Sequence, residues 1–307
     1  MSETTVHTVL GAVPADELGV VAVYETLLSV LPGAQYAYDI DIDRAAVFHA
    51  LAEKLRAFKA AGGGTVVDAG GMFAGRDVRL YEALSRATGV HIVASSGQME
   101  EAMLGGYFLT PQTNPPTPWP AEKFAALYAA EVTEGMVVPR VERRGPAGLI
   151  ATAVTAEGRT PTDESQLRGC ARAARDTGTA LTFRAGADPV AELGVALDEG
   201  LAADRIAVAN AGERAAAVAG AGASVIFTDV AAAVAFARAG HAAHTLVATG
   251  GAGIAFGHDV PPAAYDQLIG AVPEELRRQL LVTNPAALLS VKPAAVEPAV
   301  QPAAKEA

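Results

Sequence analysis

One cysteine, Cys170, in a chain of 307 residues leaves no internal disulfide and no multi-thiolate metal site. Its neighbours have helical spacing, so it reads as a small core residue in a reducing compartment. Histidine is nearly as scarce, with six residues to supply any imidazole chemistry. Basic residues are outnumbered, 23 Lys and Arg against 34 Asp and Glu, and the resulting net charge of −11 repels phosphate backbones and anionic lipid surfaces. Nucleic acid and membrane are thereby set aside as partners. No apolar run approaches the ~20 residues of a membrane helix, and the polar start MSETTVHTVLG lacks a basic region followed by an apolar one. A cytoplasmic protein is expected.

What is present is 51% hydrophobic and 19% charged residues, the composition of a globular chain rather than a disordered or fibrous one. Eight short runs rich in Val and Ile recur, beginning at Gly19, Thr65, Val90, Gly148, Ala180, Arg205, Ser224 and Thr245. Near-continuous apolar strands are buried on both faces, as parallel strands are. Between them lie helical patterns near 43–61, 77–88, 162–176, 188–199, 212–219 and 230–239, the first with Val47, Leu51, Leu55 and Phe58 on one face and Asp43 as its N-cap. Eight strand–helix units predict an α/β fold, a single-domain (β/α)8 TIM barrel over 1–292, with an open doubly wound sheet as the competitor. Residues 97–145 form a long excursion after the third strand, read as a lid, an interface segment or a rigid connector. The Ala/Pro-rich tail 293–307 is expected to be disordered.

Glycine clusters add little. Gly62-Gly-Gly64 precedes a strand, whereas a dinucleotide fingerprint must follow one. The run Gly250 to Gly257 follows the eighth strand, and reads as a flexible loop or an anion site.

Several stretches together resemble the phosphotriesterase family of the amidohydrolase superfamily. They are Leu10-Gly-Ala-Val-Pro-Ala-Asp-Glu-Leu-Gly19, Gly75-Arg-Asp-Val-Arg-Leu80 with Thr88-Gly-Val-His-Ile-Val93, Glu134-Gly with Ala147-Gly-Leu-Ile150, Ala171-Arg-Ala-Ala174 through Thr177-Gly178, Asp204-Arg205 and Asn284-Pro-Ala-Ala-Leu-Leu289. The resemblance implies a barrel holding two divalent metals at its C-terminal mouth, on His-x-His after the first strand, a carboxylated Lys or Glu on the fourth, His on the fifth and sixth, and Asp on the eighth. Those metals would activate a bridging water against an ester, lactone or phosphotriester. At the corresponding positions this chain has Tyr24, Thr26, Ala151, Arg184, Asn210 and Gly250, so all six ligands are replaced. Arg184 opposes a dication by its charge.

The placement of the histidines agrees. His241 and His244 precede the eighth strand, His91 starts the third, His49 is in a helix and His7 is near the terminus; only His258 reaches the mouth. No metal is therefore expected, with zinc or another divalent ion as the alternative. Glu25, Asp68 and Asp229 stand at or after strand ends, where they are expected to hydrogen-bond Arg184 or Asn210 in a neutral polar cluster. Ser95 and Ser96 lack a nucleophile elbow and a nearby base.

Three functions follow, and the sequence leaves open whether the chain is an enzyme. The first is a phosphotriesterase-like pseudoenzyme, acting as a binding, scaffolding or regulatory subunit beside an active relative or multi-subunit enzyme. The second is a metal-dependent hydrolase of esters, lactones or phosphotriesters with a reduced or relocated site. The third is a metal-independent enzyme that holds an anionic substrate through Arg184. The expected partners are a protein partner or a second copy in a homo-oligomer, and a small anionic ligand.

Overall fold

The computed structural model describes residues 4–104, 109–110, 117–138 and 142–292. All eight predicted runs are strands: β1 (Val20–Val30), β2 (Gly63–Asp68), β3 (His91–Ser96), β4 (Leu149–Ala153), β5 (Leu181–Arg184), β6 (Ile206–Ala209), β7 (Ser224–Phe227) and β8 (Thr245–Val247). A ninth, β9 (Ala252–Phe256), occupies the stretch read as a flexible or anion-binding glycine loop. That reading is corrected. Strand β1 runs six residues beyond Tyr24, and its extension Thr26–Val30 takes the backbone bonds of β9 through the pairs Thr26 with Ala252 and Val30 with Phe256.

The strands are bonded in the order β9-β1-β2-β3-β4-β5-β6-β7-β8, all parallel. Laid flat, such a sheet would separate its edges by roughly 38 Å, at about 4.8 Å per strand. Only residues 248–251 join β8 to β9, a link that spans at most ~18 Å when fully extended. The sheet must therefore curl until its edges meet. The backbone N–H of Ala248 donates to Phe227 O on β7, while that of Thr249 donates 2.8 Å to Glu25 Oε1 on β1. The fold is the predicted (β/α)8 barrel, with Glu25 bridging its seam.

Alternation along the strands builds two apolar layers. Val21, Val23, Val67, Val93, Leu149, Ala207, Ile226 and Leu246 fill the barrel interior, closed from below by Val6 of a hairpin (Thr5–Thr8 with Gly11–Pro14) and by Leu288 and Leu289. The opposite faces, among them Val66, Ile92, Ile150, Phe183, Ile206 and Val208, pack under the helices. Those helices are α1 (Arg44–Ala60), α2 (Val78–Thr88), α3 (Ala121–Thr133), α4 (Pro161–Thr177), α5 (Pro189–Asp198), α6 (Ala215–Gly220) and α7 (Val230–Phe236). Asp43 caps α1 by accepting from the N–H groups of Ala45 and Ala46, and Val47, Leu51, Leu55 and Phe58 are its buried stripe. Full burial of each large apolar side chain contributes about 1.5–3 kcal/mol.

The excursion between β3 and β4 is not featureless, since it contains α3, which packs along α4. Buried Arg76 and Glu131 lock α3 to the barrel through two parallel bonds, Nη1 to Oε2 at 2.6 Å and Nη2 to Oε1 at 2.8 Å. Residues 111–116 of its Pro-rich run, and the tail 293–307, lie outside the described residues. Among the described residues no helix is long and apolar enough to cross a membrane.

Candidate functional site

Residues just past the C-terminal ends of the strands form the barrel mouth, where folds of this kind carry their chemistry. On β5, Leu181 and Phe183 belong to the outer layer, so Thr182 and Arg184 project into the barrel. Their partners on β4 are Ala151 and Ala153, which add no more than a methyl group beside them. Tyr24 packs on the interior layer from β1. Arg184 thus stands among small side chains, two-thirds covered, at the height of the mouth.

Its partner was not foreseen. Arg184 Nη2 donates 2.6 Å to Oε1 of Glu100, a buried residue of the excursion, and Glu100 is the one hydrogen-bond partner of the Arg184 side chain among the described residues. Among the described residues, four of the five guanidinium N–H groups have no partner. Glu100 Oε2 is buried with no partner, as is the hydroxyl of Thr182 below it. A buried acceptor left without a donor costs about 1–3 kcal/mol. Burial pushes the Tyr24 hydroxyl up to about 12, against the pull of Arg184's charge and with the push of Glu100's, so the phenol stays protonated beside both.

Local structure explains how Glu100 arrives there. Gly97, with φ at +92°, turns the chain off β3 so tightly that a Cβ on it would stand 2.0 Å from Ala151 O. Buried Gln166 of α4 then donates through Nε2 to the carbonyls of Gln98 (2.9 Å) and Met99 (3.0 Å). Buried Asp163, in a capping box with Thr160, accepts from Glu101 N–H at 2.9 Å and Thr155 N–H at 3.0 Å. Glu100 is therefore clamped between two residues that the helix α4 supplies. The signal that could have found it is its position four residues after β3, at the start of a mouth loop.

The acidic residues expected to meet Arg184 or Asn210 are engaged elsewhere. Glu25 binds the backbone N–H and hydroxyl of Thr249, and burial pushes its carboxyl up to about 8. Asp68 accepts from Leu27 N–H at 2.7 Å and from the hydroxyl of Tyr81 at 2.9 Å; it belongs to the wall between β1 and α2, and burial raises it to about 6. Asp229 caps α7 through the N–H groups of Ala231 and Ala232. His258 Nε2 is 2.8 Å from Ser29 Oγ, on the β9 side of the mouth. Asn210, exposed and left-handed at φ +61°, donates through its amide to Ala185 O at 3.1 Å. Thr26 is half-buried, its carbonyl accepting from Tyr265. Gly250 takes φ +71° against Thr228. Ser95 accepts from Gly71 N–H, a backbone role, and His241 stacks on Phe236 away from the mouth.

This donor set does not fit the binuclear metal centre that the resemblance implies. Among the described residues no three His, Cys, Asp or Glu side chains come together as metal ligands. Glu100, the carboxylate that meets Arg184, is held by a permanent cation that would repel a dication. Two concavities stand out among the described residues. One, of 720 Å³, is lined by Leu28, Val30, Ile42, Val47, Phe73 and Val138, outside the barrel beside exposed Tyr36 and Tyr38. The other lies at the start of α4, where Arg159 and Arg168 are already paired with Glu164.

Known proteins match along nearly the whole chain. The sequence profile of the Phosphotriesterase family matches residues 4–219. A structure from the engineering of organophosphate hydrolysis on a weak, promiscuous lactonase template superposes with a TM-score of 0.76 at 23% identity, over 93% of this chain and all of that one. A variant of organophosphorus hydrolase from Deinococcus radiodurans gives 0.76 at 22% identity, over 94% of this chain and 98% of the other. An amidohydrolase from Mycoplasma synoviae gives 0.78 at 18% identity, over 95% and 93%. At these identities the structural likeness establishes the barrel fold.

Proposed function

The chain belongs to the phosphotriesterase family, and on that premise we propose that it is a non-hydrolytic member, a pseudoenzyme whose barrel mouth binds instead of cleaving. It serves as a binding or regulatory subunit, alongside an active relative or a multi-subunit enzyme. The observation that carries this reading is the Arg184–Glu100 pair at the mouth end of β5. A metal-activated water needs several anionic or imidazole ligands converging on one point. Here, among the described residues, the groups brought together are a guanidinium and a carboxylate already bonded to it.

Among the described residues no replacement catalytic machinery supports an alternative. Ser95 spends its hydroxyl on Gly71, and His258 is bonded to Ser29. The test is hydrolysis of lactones, aryl esters and aryl phosphotriesters by the purified protein supplied with zinc, cobalt or manganese. The reading expects turnover at the buffer rate throughout. Turnover that follows the added metal, or that Arg184→Ala abolishes, would overturn it. Purification from the native host should recover the chain in a complex, and a clean monomer there would remove the subunit role.

A further inference from the structure

We infer that the barrel mouth binds a zwitterionic α-amino acid, its carboxylate on Arg184 and its ammonium on Glu100. This rests on the non-hydrolytic reading above and gives that binding site its ligand class.

The inference starts from what the pair leaves unused. One N–H of Arg184 is bonded to Glu100 Oε1, which leaves four donors on a planar fork suited to a second carboxylate. Glu100 Oε2 has no donor, although the side chain is nine-tenths buried. A donor fork and an orphaned anionic acceptor therefore sit side by side, joined by a 2.6 Å bond.

Charge decides what fits both. The pair is neutral as a unit, so a simple anion would gain Arg184 but stand against the Glu100 carboxylate. A simple cation would gain Glu100 but stand against the guanidinium. A ligand bearing both charges one carbon apart satisfies each group and leaves the mouth neutral. A neutral neighbour suits the same ligand. The orphaned Thr182 hydroxyl, one inward-facing position below Arg184, can donate to a carboxylate or accept from an ammonium. Ala151 and Ala153, their partners on the neighbouring strand, carry no more than a methyl group.

Rigid placement is the remaining requirement. Both ends of the pair are held by bonds the ligand does not supply, Arg184 by the β5 ladder and the Glu100 backbone by Gln166 and Asp163. A preorganised donor–acceptor pair spends little binding energy on ordering.

Calorimetric titration of the full-length chain with the common L-amino acids tests this, each binder being compared with its des-amino acid and its decarboxylated amine. At least one amino acid should bind, and both truncated analogues should bind at least about tenfold more weakly. Arg184→Gln and Glu100→Gln should each weaken binding by at least about tenfold, and Tyr24→Phe by less, with circular dichroism showing every variant folded. Failure of every amino acid to bind the folded chain would overturn the inference. So would equal binding of a des-amino acid, or unchanged affinity in Glu100→Gln. The two readings fail separately: a chain that takes up no metal and hydrolyses nothing, yet binds no amino acid, loses the ligand class alone, whereas metal-dependent turnover removes the non-hydrolytic reading itself.

Discussion

Arg184 Nη2 donates to Glu100 Oε1 across 2.6 Å, tying the last residue of β5 to a loop residue 84 positions earlier in the chain. The two ends of this bond are unequally covered, Arg184 reaching solvent with a third of its side chain and Glu100 with a tenth. Truncating them should therefore have unequal effects. Arg184→Ala strands a buried carboxylate and should cost about 1–2 kcal/mol. Glu100→Ala leaves a guanidinium that water can reach, and should cost about 0–1 kcal/mol. Urea unfolding at pH 7 measures both, and an equal or reversed order would show that Glu100 is not the buried partner.

The Arg76–Glu131 pair is covered on both sides, with side chains 5% and 0% exposed. Burial pushes Glu131 up, but the bonds and charge of Arg76, with the Val137 N–H, together hold it below the usual carboxylate range. Removing one partner of such a pair costs about 3–5 kcal/mol. Arg76→Ala should lower the unfolding free energy by that amount and expose the α3 region first to limited proteolysis. A loss below about 1 kcal/mol, the range of surface pairs, would contradict the locking role.

Stability should fall as pH rises from about 4.5 to about 8. Across that interval folded Glu25, raised by burial to about 8 from an ordinary value of 4.5, holds a proton that the unfolded chain releases. Its contribution is complete below the unfolded value and lost as pH passes the folded one, at up to about 1.4 kcal/mol per pH unit. Asp68, raised to about 6, acts with the same sign at the acid end. Urea midpoints between pH 5 and 9 should decline for the native chain and flatten for Glu25→Gln, which keeps a neutral acceptor for Thr249. Identical slopes would place the effect elsewhere.

The barrel was legible because parallel strands buried on both faces appear as bare Val/Ile runs, and all eight were found that way. Strand β9 was not, since Gly253 sits between Gly251 and Gly257 in a run that is loop-like by composition, and the long extension of β1 supplies its ladder. Asp43 was readable as a cap because capping is local. Glu100 was invisible for the opposite reason. Its role depends on a partner in another strand and on Gln166 and Asp163 of α4, all more than 60 positions away. Asp68 ends β2 and Asp229 follows β7, whereas Glu25 lies inside the long β1; position on a strand does not say whether a carboxylate faces the mouth or bonds backbone.

Gly250→Asp tests whether the mouth can be returned to the family's ligand pattern one residue at a time. The backbone there has φ +71°, and a Cβ would stand 2.8 Å from that of Thr228. Strain of this kind costs about 1–3 kcal/mol. The variant should lose stability in urea and gain no metal; a stable variant that takes up zinc would show a site poised for repair.

The most direct measurement is elemental analysis of the native chain refolded with zinc, cobalt or manganese and then desalted. With Arg184 and Glu100 bonded to each other where metal ligands would converge, the protein should retain no stoichiometric metal. One or two tightly bound ions per chain would contradict the account.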